Sequence, residues 1–110
     1  MSELNPEDSK IITLARSSRA RNGAAEGAAV RDETGRTYVA TSVDLPSLKL
    51  SALQVAVAMA VSSGAEDLEA AALVTAAGTA SETDVAAVRD LGSQAPVLVA
   101  GPDGTVQTTL

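Results

Sequence analysis

The longest stretch with almost no polar position is residues 50–64, LSALQVAVAMAVSSG. Val55 and Met59 sit among Ala52, Ala56 and Ala60, and after Gln54 no polar side chain occurs until Ser62 and Ser63. Such a pattern predicts a central helix buried over most of its surface, stopped by Gly64. In a small domain one face of this helix packs on a sheet. The other needs a second cover, and a second subunit is one candidate.

The flanking patterns predict the remaining elements. Asn5 caps a first helix with Pro6 at its first position and Glu7 and Asp8 in its first turn. Ile11, Ile12, Leu14 and Ala15 are its expected inward positions, and Asn22-Gly23 its stop. Residues 27–32 read as a strand, 33–35 as a turn, and 36–43 as a returning strand rich in Thr, Tyr and Val. Residues 44–48 read as a loop directed by Pro46. The alanine-rich run LEAAALVTAA after Asp67 fits helix or strand by pattern, and its LVT favours a strand over residues 69–76. Ser81 or Thr79 caps another helix, with Val85, Val88 and Leu91 as its apolar stripe and Gly92 as its end. Residues 96–100 form a short interior strand, 101–104 a turn, and 105–110 a last strand. The order α-β-β-α-β-α-β-(β) predicts a three-layer α/β/α sandwich with a mixed sheet. The 110 residues suit a single domain, with residues 1–4 expected to be frayed.

Composition changes this picture in two ways. Apolar residues make up 45% of the chain, yet Tyr38 is the single aromatic, so the core must gain its packing energy from close approach of small side chains. The net charge is −6, with all the excess acid after residue 50. That balance argues against nucleic acid and anionic membranes as partners. Lys10, Arg16, Arg19 and Arg21 nevertheless fall in one segment without an acid. They read as a solvated helix face, or as a basic patch for phosphate or an acidic partner. No apolar run reaches the roughly 18–20 residues of a membrane span, and the acidic start is unlike a leader peptide, so a cytoplasmic protein is expected.

Two blocks carry a resemblance. SALQVAVAMAVSSG resembles the cytidine deaminase segment CAERxAxxxAVSxG, and GAAVRDETGRTYVATSVD, residues 27–44, resembles that family's VGAAxxxxDGxxYxGxNxE. The connecting loop is about two residues short of the family's, and the similarity spans roughly residues 10 to 100. It implies a cytidine deaminase-like fold, and its element order supports the strand at 69–76.

Zinc-dependent deamination needs three His or Cys ligands and a proton-shuttling Glu. The resemblance places Ser51 at the first ligand, Leu53 at the glutamate, and Glu82 and Val85 at the two cysteines of the family's PCxxC. The chain contains no His and no Cys at all. No metal, no cofactor and no catalytic residue is therefore expected, and the chain reads as a pseudoenzyme rather than an enzyme. The same absence removes Ser-His-Asp and Cys-His sites, and no phosphate-loop motif is present. Asp32 and Glu33 read as a solvated pair on a turn, and Tyr38 as a core or interface residue.

The family's ribose-binding Asn and Glu correspond to Ser42 and Asp44, shorter groups that still hydrogen-bond. Ala24 or Ala25 stands where the family has a stacking Phe. Two functions remain. One is a structural or interaction protein, expected to be a homo-oligomer, dimer or tetramer, through the helix at 50–64, with another protein also compatible as partner. The other is a degenerate pocket that still binds a nucleoside, nucleotide or RNA. They separate on whether the space near Ser42, Asp44, Ser51 and Leu53 is open or filled.

Overall fold

The structure is a computed structural model that describes residues 4–110. Of the tail expected to be frayed, residues 1–3 lie outside the described residues, and Leu4 is an exposed non-helical residue. The elements run α1 (Pro6–Asn22), β1 (Glu26–Asp32), β2 (Thr37–Thr41), β3 (Val43–Leu45), β4 (Leu48–Leu50), α2 (Ala52–Ser62), β5 (Leu68–Thr75), α3 (Glu82–Leu91), β6 (Val97–Ala100) and β7 (Val106–Thr109).

Five strands form one mixed sheet in the order β2-β1-β5-β6-β7. Only β5 and β6 pair in parallel, joined through α3; the other neighbours are antiparallel. Two apolar clusters lie on opposite faces of the sheet. Ile11, Ile12 and Ala15 of α1 pack on Ala29, Ala70, Ala72, Val74 and Leu98. Ala52, Leu53, Ala56, Val57 and Ala60 of α2, with Val88 of α3, pack on Ala28, Val30, Ala71, Leu73, Val97 and Val99. The fold is the predicted three-layer sandwich.

The caps act as the sequence predicts. Asn5 Oδ1 accepts from the Asp8 N–H at 2.8 Å, and Gly23 ends α1 in the left-handed region at φ 59°. Ser51 and Ser81 cap α2 and α3. Three readings change. Leu14 is half-buried and Ser18 buried instead, because positions 11, 15 and 18 share the face turned to the sheet. Residues 43–50, read as the end of a strand, a loop and the start of the central helix, form a separate two-stranded hairpin, β3–β4, that turns at Pro46 and Ser47. Residue 42 separates it from β2, so the chain leaves the main sheet there. The central helix is covered on one face only: Met59 and Val61 remain 39% and 54% exposed.

Small residues let the layers approach closely. A Cβ at Gly27 would sit 2.1 Å from the carbonyl oxygen of Ala15, so α1 lies directly on the β1 backbone. Ion pairs hold the far end of that contact: Arg31 on β1 bonds Asp8 of α1 at 3.1 Å and Glu69 of β5 at 2.8 Å.

Asp32, read as solvated, is buried at 3% exposure. The β1–β2 turn closes around its carboxylate, which accepts from the Thr34 hydroxyl at 2.7 Å and from the N–H groups of Thr34 and Arg36 at 2.9 and 3.0 Å. The Tyr38 hydroxyl donates to it at 2.9 Å. Burial alone would raise this carboxyl's pKa. The hydrogen bonds from Thr34, Tyr38 and Arg36 outweigh burial and hold it below its ordinary value.

Two predictions follow from these contacts. Gly27→Ala is expected to cost about 2–3 kcal/mol, because only backbone displacement relieves the overlap; urea denaturation measures it. Asp32→Ala is expected to cost about 2 kcal/mol at neutral pH by stranding the buried Tyr38 hydroxyl. With a folded-state pKa below the unfolded value of about 3.9, the Asp32 contribution is complete above that value. It is lost as pH falls through the lower folded value. Acid titration of stability should therefore fall less steeply below about pH 4 in the Ala variant than in the parent chain.

Candidate functional site

At the end of the sheet where β1 begins and β2 ends, the chain leaves an open cleft of about 770 Å³. Its walls are the last turn of α1 with Asn22, the following Ala24 and Ala25, the exit of β2 with Thr41 and Ser42, the β3–β4 hairpin with Asp44 and Lys49, and the α2 cap Ser51. The hairpin makes one wall of this cleft because it is detached from the main sheet. Asp44 and Lys49 are cross-strand partners in it, with Lys49 Nζ 3.6 Å from Asp44 Oδ1; both are largely exposed. No pattern in residues 43–50 is long enough to signal this wall.

Behind the cleft the N-termini of α2 and α3 converge. Ser51 and Gln54 complete a capping box: the Ser51 N–H donates to Gln54 Oε1 at 2.9 Å, and the Gln54 N–H donates to Ser51 Oγ at 3.2 Å. The Ser51 hydroxyl in turn donates to Asp84 Oδ1 at 2.7 Å. Asp84 is 6% exposed. It sits in the first turn of α3, where its N–H bonds the Ser81 cap at 3.2 Å. Its carboxylate thus lies at the positive ends of two helices, the favourable place for a negative charge. Sequence reading missed Asp84, because a Ser-x-x-Asp run signals a helix start and not a partner 33 residues away.

The expected site positions border different spaces, although Ser51 meets the first turn of α3 at Asp84. Ser42, Asp44 and Ser51 share the cleft. Leu53 is fully buried in the α2 core. Glu82 and Val85 border a different, apolar groove of about 440 Å³ with Ala80 and Leu110. The basic residues of α1 do not act as one patch: Arg16 Nε bonds the Pro102 carbonyl at 3.1 Å and Arg19 Nε the Ala25 carbonyl at 3.0 Å, while Lys10 and Arg21 are exposed.

The model of the cytidine deaminase-like family matches residues 4–104. The chain belongs to the cytidine deaminase-like family. Solved structures agree with the fold. A cytidine deaminase from Burkholderia pseudomallei superposes with a TM-score of 0.80 at 19% identity, covering 92% of this chain and 89% of that one. A cytidine deaminase from Mycobacterium leprae gives 0.73 at 21% identity, covering 96% and 94%. A singly substituted cytidine deaminase from Mycobacterium tuberculosis gives 0.70 at 22% identity, covering 86% and 85%. No curated protein matches the chain.

This placement corrects the reading of the chain as a pseudoenzyme and not an enzyme. The proteins it resembles are cytidine deaminases, which are enzymes, so the chain stands in an enzyme family. Missing His and Cys bear on one kind of metal site, not on chemistry by carboxylates and hydroxyls. On that one site the structure is specific. Zinc takes thiolate, imidazole or carboxylate ligands; the three ligand positions hold the capping hydroxyl of Ser51, an exposed Glu82 and a half-buried Val85, and the glutamate position holds the buried Leu53. Among the described residues no group of three His, Cys, Asp or Glu side chains is placed to hold a metal ion. The residues present do not fit the zinc that the family implies. Among the described residues no helix is long and apolar enough to cross a membrane.

Proposed function

We propose that this chain binds a nucleoside in the cleft between the end of α1, the β3–β4 hairpin and the α2 cap. The observation that carries the reading is the open space beside Ser42, Asp44 and Ser51, where a structural protein without a ligand would be expected to fill with side chains. Its volume of about 770 Å³ lies within the roughly 300–1,000 Å³ of small-molecule sites. Hydroxyls at Thr41, Ser42 and Ser51 and the Asp44 carboxylate supply the acceptors and donors that a sugar needs. Lys49 is the one cation of the lining, and it faces Asp44. That near-neutral wall favours an uncharged nucleoside over a nucleotide or RNA. Calorimetric titration with cytidine should give saturable heat that persists from low to high salt, unlike a phosphate-driven contact. Asp44→Ala should weaken it about five- to tenfold. Absence of heat with the folded chain would overturn the proposal.

A second reading rests on the uncovered face of α2. Met59 and Val61 on the helix, and Leu45 and Leu48 on the neighbouring hairpin, are all exposed by 39% or more. Large apolar side chains left exposed favour self-association, and the chain would then work as a homo-oligomer, dimer or tetramer. Light scattering should return a multiple of the 11.0 kDa chain mass, and Met59→Glu with Val61→Glu should return the monomer. A monomeric parent chain would exclude this reading.

A further inference from the structure

One edge of the main sheet is open. β2 is an end strand paired with β1 alone, and the hairpin that follows it does not extend the sheet. The Ser42 N–H donates to the Glu26 carbonyl and the Asp32 N–H to the Arg36 carbonyl. With the register of Gly27 against Thr41, these two bonds fix the alternation of the ladder. Tyr38 and Ala40 bond to β1. Thr37, Val39 and Thr41 turn their N–H and carbonyl groups outward. Among the described residues none of those outward groups has a backbone partner.

Sheet edges are ordinarily protected from pairing by charged residues, proline or a bulge. The opposite edge strand, β7, has such a break, a register shift against β6 between Val99 and Ala100. β2 has none of these. Its sequence TYVAT carries no charge and no proline, and its register with β1 is unbroken. It also reads nearly the same in both directions. Antiparallel pairing centred on Val39 sets Thr37 opposite Thr41, Tyr38 opposite Ala40, and Val39 opposite its own copy. Threonine pairs and β-branched pairs are favourable across strands. Each meeting of outward residues also exchanges two main-chain hydrogen bonds.

We propose that β2 is a docking edge for a second copy of this chain, paired antiparallel about a two-fold axis at Val39, so that two five-stranded sheets become one. The same edge is used on both subunits, so the contact closes and does not propagate. It is a different surface from the exposed face of α2. Both α1 and α2 lie against β2. Edge pairing therefore sets each helix beside its own copy and widens the contact beyond the two strands.

Light scattering on the full chain over a dilution series tests the pairing. The parent chain should show twice the 11.0 kDa chain mass. Thr37→Glu with Thr41→Glu sets like charges opposite each other at both ends of the seam, and should weaken association about thirtyfold. Thr37→Lys with Thr41→Glu sets opposite charges there in the same register and should restore it. Met59→Glu with Val61→Glu should leave the β2 pairing in place. Hydrogen exchange on the parent chain gives a test without any substitution. The outward amides of Thr37, Val39 and Thr41 should exchange at least about tenfold more slowly in concentrated than in dilute protein. A parent chain that stays monomeric, or whose three amides exchange alike at every concentration, overturns the inference. So does association that fails on Met59→Glu with Val61→Glu but survives Thr37→Glu with Thr41→Glu, which would assign it to α2.

Discussion

The contact on which this structure depends is the close approach of helices to an alanine-lined sheet. Dispersion is weak per atom pair and falls quickly with separation, so a core without Phe or Trp holds only if its layers lie close. Gly27 removes the last obstacle between β1 and the Ala15 carbonyl of α1. On the opposite face Ala52, Ala56 and Ala60 repeat the same solution for α2. Both helices are thereby pressed onto β1 and β5, and the loops that join them are brought to one end of the sheet.

That end is where polar chemistry concentrates. Two helix starts, each capped by a serine, converge behind the cleft, and the buried Asp84 carboxylate joins them through Ser51. The short hairpin after β2 stands clear of the main sheet and forms the opposite wall. At the other end of β1, Asp32 gathers the N–H and hydroxyl donors of its turn in the same way. The Asp32 carboxylate is buried because four donors already surround it, which is the condition for burying charge at tolerable cost, while Asp84 is met by the Ser51 hydroxyl.

The chain belongs to the cytidine deaminase-like family by a match over residues 4–104, although it contains no His and no Cys. Family membership and the zinc positions therefore speak to different questions. Residues 4–104 match the family model, while among the described residues no three His, Cys, Asp or Glu side chains are grouped to hold a metal ion. Reading the absence of His and Cys as absence of enzymatic character joined those two questions when they are separate.

What the sequence by itself determined was everything governed by neighbours along the chain. Asn5, Ser51 and Ser81 mark helix starts because a cap acts within three residues, and Gly23 marks a stop because its backbone turn is local. Apolar periods and cap signals located all three helices and four strands of the main sheet, while the alanine-rich β5 was ambiguous by period and needed its LVT and the family resemblance. Local patterns misjudged the β3–β4 hairpin, whose three-residue strands are too short to alternate visibly. They also misjudged Asp32, whose burial depends on the Tyr38 hydroxyl folding back across the turn. Only the tertiary structure decided that Ser42, Asp44 and Ser51 border one open cleft while Glu82 and Val85 face another groove. Only it decided that Ser51 meets Asp84, 33 residues onward. Such pairings rest on how α2 and α3 are set against the sheet, and no short-range signal carries a distance between elements.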